Sequence, residues 1–316
     1  MIYGSKEFRD EFLKDTLEYA EKNNWTVIFI SLVGSIGKGF PSADSDYDTR
    51  VLYLDNNYPN KIFLPWDEKE DFLKHRYYLN ETESADGKLW EWIPFWEATS
   101  FFQFLKNPSF EGKYSAGLYN VIAWTINSPF CWDPFGLQMK LKPLIDKAFR
   151  FEAQIEYNKK EIERFWKKDK KEIVIKSYLR AIYDALSIDW ILQNNSFNLT
   201  YIPTLIYTVC PQNLRNKILD LMDKEFNMSV EFVEKNGSSG LGKSQHSFLM
   251  ERDKEIDEYI EKMYSMPLNK FMKGPSDDEI DEILDSINKI LFNSVNDKAL
   301  SLYKSPYRDV KNPLNK

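Results

Sequence analysis

The sequence has little cysteine and little histidine. Among its 316 residues, Cys131 and Cys210 are the only cysteines, and His75 and His246 are the only histidines. Two widely separated cysteines form neither a zinc cluster nor a disulfide scaffold, so we expect a cytoplasmic protein. The scarcity of histidine also argues against histidine-based metal sites and catalytic triads.

Long hydrophobic runs and an excess of positive charge are absent as well. The longest clear apolar run, from Trp25 to Val33, is about half of what a membrane helix requires. The chain begins MIYGSKEFRDEF, which becomes charged too early for a signal peptide. The formal net charge of −7 disfavours a surface built to grip long nucleic acid, although it allows a local basic groove. We therefore expect no membrane partner.

Hydrophobic periodicity predicts an α+β protein with an α-helical C-terminal half. An amphipathic helix is predicted in FRDEFLKDTLEYAEKN, and the pattern beyond Pro134 is almost wholly helical, including the 151 to 194 stretch. Strands are predicted near 25 to 33, 46 to 54, 75 to 80 and 88 to 93. We predict a catalytic domain in 1 to 135, a helical domain in 136 to 304 and a flexible tail in 305 to 316.

The segment LVGSIGKGFPSADSDYDTRVLYL, from Leu32 to Leu54, is the most informative part of the chain. Its first apolar run ends in Gly34 and Ser35, and Asp46 and Asp48 open the second. Residues two apart in a strand project from one face, so the two carboxylates stand about 7 Å apart at Cα. Such hard oxygen ligands suit Mg²⁺ or Mn²⁺, which can stabilise a phosphoryl displacement.

The glycine and serine before these carboxylates suit a phosphate. Gly34 has no Cβ, so backbone N–H groups can approach a phosphate closely, and the Ser35 hydroxyl can donate to an oxygen. Lys38 and Arg50 could balance phosphate charge. Lys38 could instead be a solvated loop residue, and Arg50 could pair with Asp44 or Asp48.

Two other interpretations apply to the aspartates. The DSD cluster could be a solvated turn before a strand. Asp44, Asp46 and Asp48 also occupy positions one, three and five of a calcium loop, but Thr49 stands where that loop needs glycine.

The order of strand, Gly-Ser, polar loop and Asp-x-Asp resembles the nucleotidyltransferase superfamily that includes DNA polymerase β. The resemblance implies a nucleotidyltransferase-type mixed sheet with flanking helices, a triphosphate at Gly34 and Ser35, and metal at Asp46 and Asp48. Such sites usually include a third carboxylate. Glu91 suits it because it lies in an alternating, aromatic segment. Glu97 is the alternative, although we expect it to begin a helix, where an acidic residue is favourable in any case.

A narrower resemblance is to a bacterial and phage family of RNA repair pathway nucleotidyltransferases. The matching positions are Glu91, Trp96-Glu97, Asn107-Pro108, Trp124 and Ser128-Pro129, and Asp48-Thr49-Arg50 echoes the family's Asp-x-Arg. KSYLRAIYDALSIDWI gives a weaker echo. Glutamate replaces aspartate twice, Ser100 replaces a lysine and Ala123 replaces a glutamate, so the resemblance supports the chemistry more than the substrate.

The resemblance implies transfer of a nucleotide from a nucleoside triphosphate to a tRNA or broken RNA end. Two other functions stay open: transfer to a protein, as in AMPylation, or to a small molecule, and a non-catalytic nucleotide-binding module. The segment Gly237 to Ser244 also matches the P-loop pattern. A helix end rather than a buried strand precedes it, which favours a flexible loop, although Lys243 could reach a phosphate.

Overall fold

A computed structural model describes most of the chain. The described residues are 6–43, 45, 48–56, 82–83, 89–90, 95–105, 122–123, 125–166, 169–196, 201–236, 247–267 and 274–303. The described helices are α1 (Lys6–Lys22), α2 (Gly34–Lys38), α3 (Ala98–Phe102), α4 (Leu137–Lys147), α5 (Phe151–Phe165), α6 (Ile175–Asn194), α7 (Ile202–Thr208), α8 (Gln212–Asn236), α9 (Lys254–Tyr264) and α10 (Asp277–Tyr303), with a 3₁₀ turn at Gln103–Leu105. The described strands are β1 (Trp25–Leu32), β2 (Thr49–Asp55), β3 (Thr82–Glu83), β4 (Leu89–Trp90), β5 (Phe95–Glu97), β6 (Cys131–Trp132), β7 (Glu172–Val174) and β8 (Leu249–Glu251).

The main sheet has four strands in the order β5-β2-β1-β6. Strand β1 is antiparallel to both β2 and β6, whereas β2 is parallel to β5, so the sheet is mixed. The sequence WTVIFISL of β1 is rich in β-branched and aromatic residues, and seven of its eight residues are buried. The predicted combination of a mixed sheet, flanking helices and a helical C-terminal half is confirmed.

The two faces of β2 have different neighbours. Val51 and Tyr53 share a core cluster with Ala20 of α1, and the Tyr53 ring stacks on Trp25 with 4.3 Å between centroids. Leu52 belongs instead to the larger core that includes the C-terminal helices. Because side chains alternate along a strand, Asp48 and Arg50 lie on the same face as Leu52, toward those helices.

Helix α6 is central to the helical half, residues 137 to 303. It packs against α5, α7, α8 and α9, and Leu179 and Ile182 are fully buried in the core cluster that also holds Ile28 and Leu52 of the sheet. One continuous core therefore joins the sheet to the helices. The domain boundary near residue 135 stays a prediction. No helix in the described ranges combines the length and apolarity that crossing a bilayer demands.

Several predicted elements have different bounds. The strands near 25 to 33 and 46 to 54 are β1 and β2, but the segment 75 to 80 lies outside the described residues. In the segment 88 to 93, the described part is β4, which pairs with β3 and not with the main sheet. The 151 to 194 stretch is two helices separated by β7, which pairs with β8.

The helix predicted to start around Glu97 begins one residue later. Glu97 is the last residue of β5, opposite Tyr53, and the helix starts at Ala98. Backbone pairing with β2 extends the strand, and the buried Trp96 side chain fills the core, so tertiary packing outweighs the local helix signal.

The Asp257 carboxylate joins three parts of the helical half. It accepts hydrogen bonds from Trp166 Nε1 at 2.8 Å and from the Tyr178 hydroxyl at 2.9 Å. Arg252 binds it with two nitrogens, Nε at 2.7 Å and Nη2 at 2.8 Å. Burial alone would raise the pKa of Asp257, but these hydrogen bonds outweigh burial and lower the pKa.

Asp257→Asn is expected to destabilise the fold by about 2–3 kcal/mol, because it leaves the Arg252 guanidinium poorly compensated. The free energy of unfolding in urea measures this loss. The pKa of Asp257 is lower in the folded protein than its unfolded value of 3.8. The ionised carboxylate therefore stabilises the fold fully at a pH above 3.8, and this stabilisation is lost as the pH falls through the folded pKa. The difference in the free energy of unfolding between wild type and variant should therefore become smaller at acidic pH. The exposed neighbour Glu258→Gln is the control, and equal losses in the two variants would contradict this role.

Candidate functional site

A tight turn joins β1 to α2 and holds Asp48 against Gly34. The Val33 N–H donates to the Asp48 carbonyl oxygen at 2.7 Å, which ties the end of β1 to the start of β2. Gly34 has a φ of +64°, and a Cβ built there would lie 1.8 Å from Asp48 Oδ2. Only glycine fits this position, since both the backbone conformation and the neighbouring carboxylate exclude a side chain. The predicted phosphate turn and one predicted metal ligand are therefore direct neighbours.

A chain of serine hydroxyls lies behind this turn. Ser35 Oγ donates to Ser45 Oγ at 3.0 Å. Ser45 Oγ accepts from the Ser42 N–H at 2.8 Å, and the Ser42 and Ser45 hydroxyl oxygens are 3.0 Å apart. Lys176 Nζ of α6 then donates to Ser42 Oγ at 3.0 Å. Ser42 and Ser45 are buried, with 1% and 3% exposure, so a lysine from the helical half is connected to Ser35 through buried hydrogen bonds.

Lys38, at the end of α2, also faces the helical half. Its Nζ lies 4.9 Å from the centroid of the Tyr183 ring of α6. Burial lowers the pKa of Lys38, and the nearby Arg180 lowers it further, while Asp184 and Asp48 oppose the shift. Lys38 therefore lies among charged groups of α6 and close enough to Asp48 for their charges to interact. This environment differs from that of a solvated loop residue.

Asp184 is the buried acid of this region. It is 4% exposed, and burial raises the pKa of its carboxyl well above the usual range, against the charges of Lys38 and Arg180. Burial also raises the pKa of Tyr157 on α5, and the charge of Asp184 adds to that shift. Residues of α5 and α6 thus form the polar wall that faces the end of α2.

Arg50 lies on the sheet beside Asp48. It pairs with Ser31 across β1 and β2, and its Cζ lies 5.7 Å from the centroid of the Trp96 ring on β5. Arg50 is two residues beyond Asp48 and shares its face, so its cation is directed toward the same region as the carboxylate.

Glu97 does not share this region. It stands opposite Tyr53 in the parallel pairing of β2 with β5, five positions along the strand from Asp48. That separation corresponds to about 17 Å along the strand. Partners in register point to one face, so Glu97 projects with Tyr53, on the side opposite Asp48. Its buried carboxylate accepts a hydrogen bond from Thr99 Oγ1.

Three predicted elements of the site lie outside the described residues. These are Asp46, Glu91 and the Gly237 to Ser244 segment, and Asp44 lies outside them as well. Within the described part of the chain, no group of three or more acidic, cysteine or histidine residues could hold a metal ion. Asp48 is the one predicted ligand that the structure describes. Its oxygen chemistry and its position against the Gly34 turn fit a divalent cation beside a phosphate.

The helical half provides residues that motif reasoning did not assign. These residues are on α6 and interact with the segment between β1 and β2: Lys176 donates a hydrogen bond to Ser42. Tyr183, seven residues later, lies under the Lys38 ammonium group, and the charge of the next residue, Asp184, raises the pKa of Lys38. The available signal was KSYLRAIYDALSIDWI, which contains all three and which gave only a weak family echo. Helical spacing places Lys176 and Tyr183 on one face, with Asp184 beside that face, but it does not show which part of the chain these residues meet.

Comparison with known families identifies a match that includes the Gly34 turn and Asp48. Residues 9–76 match the model of the RNA repair pathway DNA polymerase beta family, which confirms the suspected resemblance. The match begins within α1 and spans β1, the Gly34 turn and β2. It suggests a DNA polymerase β-like nucleotidyltransferase. Searches of curated proteins and of solved structures return no match.

Proposed function

We propose that this chain is a metal-dependent nucleotidyltransferase that transfers a nucleoside monophosphate from a nucleoside triphosphate to the hydroxyl of a nucleic-acid end. The observation that carries the proposal is the contact between Asp48 and Gly34, where an added Cβ would lie 1.8 Å from the carboxylate oxygen. This contact supports the proposal, because a carboxylate able to bind a divalent cation lies beside a turn suited to phosphate, and the family match covers both residues.

Each predicted residue has a role in the proposed reaction. Asp46, Asp48 and Glu91 would hold Mg²⁺ or Mn²⁺, which when bound neutralises phosphate charge and makes the acceptor hydroxyl more acidic. The Ser35 hydroxyl would redirect its proton from Ser45 to a phosphate oxygen. Glu91 would accept the proton of the substrate's attacking hydroxyl. The acceptor oxygen forms a bond to the α-phosphorus, the bond from that phosphorus to its bridging oxygen breaks, and pyrophosphate leaves in line.

Glu91 remains our choice for the third carboxylate. Strand β5 runs parallel to β2, so the start of β5 at Phe95 lies toward the end of the sheet that holds Asp48. Glu91 precedes Phe95 by four residues, a stretch of at most about 14 Å. Glu97 is on the other face, which argues against the alternative.

Three cations support triphosphate binding: Lys38 and Arg50, assigned from sequence, and Lys176 of α6. Lys176 reaches Ser42, which is linked through Ser45 to Ser35. We assign Lys176 to the terminal phosphates, because its hydrogen bond to Ser42 brings a cation to the serine chain that ends at Ser35.

Lys176→Ala is expected to raise the KM for the nucleoside triphosphate about tenfold, the value of one charge-assisted hydrogen bond, with a small change in kcat. Steady-state kinetics at saturating acceptor measures this. The control is Lys171→Ala, an exposed lysine just before β7. An unchanged KM in the Lys176 variant, with a normal melting temperature, would remove Lys176 from the site.

The acceptor class requires its own experiment. The protein is incubated with labelled nucleoside triphosphates and Mg²⁺, first with total RNA and then with lysate protein. Label in RNA supports the proposal. Label in protein or in a small molecule would select the alternative acceptors, and nucleotide binding without any turnover would select a non-catalytic module.

The oxidation state of the two cysteines is relevant to the cellular compartment of the protein. Cys131 is exposed, Cys210 is buried, and both are free thiols. An exposed free thiol is best preserved in a reducing environment, which supports our proposal of a cytoplasmic protein.

A further inference from the structure

The ring of Phe165, at the end of α5, carries two guanidinium groups. Arg180 Cζ of α6 lies 4.8 Å from the ring centroid, and Arg164 Cζ lies 5.1 Å from it. Stacking on an aromatic ring fixes the plane of a guanidinium and leaves its N–H edge available for two parallel hydrogen bonds to an oxyanion. Two guanidinium groups therefore lie at one partly buried ring, and each is suited to bind an oxyanion.

Arg180 adjoins the proposed active site. It follows Lys176 by one helical turn, and its charge acts on both Lys38 and Asp184. No ion pair joins Arg180 to any residue in the described ranges, although it is only partly exposed. Arg164 is 69% exposed and has a long contact of 3.5 Å with Glu161.

The positive charges of this region repel one another. Burial lowers the pKa of Lys38, and the charge of Arg180 lowers it further, as expected for two cations that lie close together. Asp184 and Glu161 compensate part of this charge, so the case for a second anion rests on the two guanidinium groups at the Phe165 ring. The proposed roles of Ser35, Lys38 and Lys176 already account for the triphosphate, so Arg180 and Arg164 are available for a second anion.

We propose that Arg180 and Arg164, stacked on Phe165, bind a backbone phosphate of a polynucleotide acceptor next to its terminal hydroxyl. The inference rests on the proposed function, since that reaction brings the acceptor end to the α-phosphate. A polynucleotide necessarily carries a phosphodiester close to its terminal hydroxyl, whereas a protein or small-molecule hydroxyl carries no obligatory anion. The two arginines would thus select the acceptor class.

Direct binding tests this site without catalysis. We compare the wild type, the Arg164→Gln/Arg180→Gln double variant and the Lys171→Ala control by fluorescence anisotropy of a labelled single-stranded oligoribonucleotide. Glutamine retains part of the side-chain packing on Phe165 and removes the charge. The double variant is expected to bind at least about tenfold more weakly. In a plot of log binding constant against log salt concentration, the slope for the double variant should be shallower by about 0.7 for each phosphate that it no longer neutralises.

Kinetics separate the two possible sources of the anion. In the double variant the KM for the oligoribonucleotide should rise while the KM for the nucleoside triphosphate stays unchanged. The inference would be overturned if only the KM for the nucleoside triphosphate rose. It would also be overturned if the folded double variant bound the oligonucleotide as tightly as the wild type does. If the wild type transfers no nucleotide to any acceptor, the proposed function fails, and the anisotropy comparison still decides whether the arginines bind a polynucleotide.

Discussion

Replacing Asp48 by asparagine is expected to lower kcat for nucleotide transfer on the order of 10³-fold. The substitution removes an ionised oxygen ligand beside the Gly34 turn. Charge stabilisation by a catalytic metal amounts to several kcal/mol, and each 1.4 kcal/mol is tenfold in rate. The fold should survive, because the contact that ties Asp48 to β1 uses its backbone carbonyl, which accepts from the Val33 N–H at 2.7 Å. Initial transfer rates and a thermal melting curve measure the two effects.

The control for Asp48 is a carboxylate at the other end of the same strand. Asp55→Asn removes an acid from β2 at the position opposite Trp25, far from the Gly34 turn. We expect it to keep nearly full activity. The Asp46→Ala/Asp48→Ala double variant should be inactive and folded, and transfer retained in that variant would refute the site.

Gly34→Ala is the second substitution with a large expected effect. The new methyl group would be placed 1.8 Å from Asp48 Oδ2, so either the carboxylate or the turn must move. The positive φ of +64° adds backbone strain of about 1–2 kcal/mol. We expect activity to fall on the order of 10²-fold or more, with a moderate loss of stability, because the displaced carboxylate no longer stands beside the phosphate turn.

Gly136 provides a matched control for this substitution. Its φ of +63° is almost the same, but a Cβ there would have nothing within 4 Å. Gly136→Ala therefore carries the backbone strain without the contact with Asp48. It should lower the melting temperature by less than Gly34→Ala does and leave the transfer rate intact. Equal losses of activity in the two glycine variants would mean that strain, and not the position of Asp48, explains the result.

The part of the site that local sequence could predict is the part built from neighbouring residues. Gly34 and Asp48 belong to one strand-turn-strand unit, so the motif and the alternation of strands already imply that they meet. The same reasoning correctly predicted α1, β1 and the helical C-terminal half. These elements have strong periodicity over many residues and depend little on distant partners.

Residues that meet only through the tertiary fold could not be predicted. Lys176, Arg180 and Asp184 are more than a hundred residues from Lys38 in sequence. The tertiary fold brings Arg180 and Asp184 close to Lys38 and brings Lys176 to Ser42. The helix predicted to start around Glu97 begins at Ala98 for a related reason: pairing with β2 makes Glu97 the last residue of a strand. The positions of Asp46 and Glu91 stay predictions.

Transfer of label from two differently labelled triphosphates tests the central claim most directly. The protein and Mg²⁺ are incubated with a 3′-hydroxyl oligoribonucleotide and a nucleoside triphosphate labelled on either the α- or the γ-phosphorus. A nucleotidyltransferase moves the α-label to the acceptor and releases the γ-label as pyrophosphate, and Asp48→Asn should lower both rates on the order of 10³-fold. Gamma-label on the acceptor, or α-label transfer at the wild-type rate in the Asp48→Asn variant, would contradict the account.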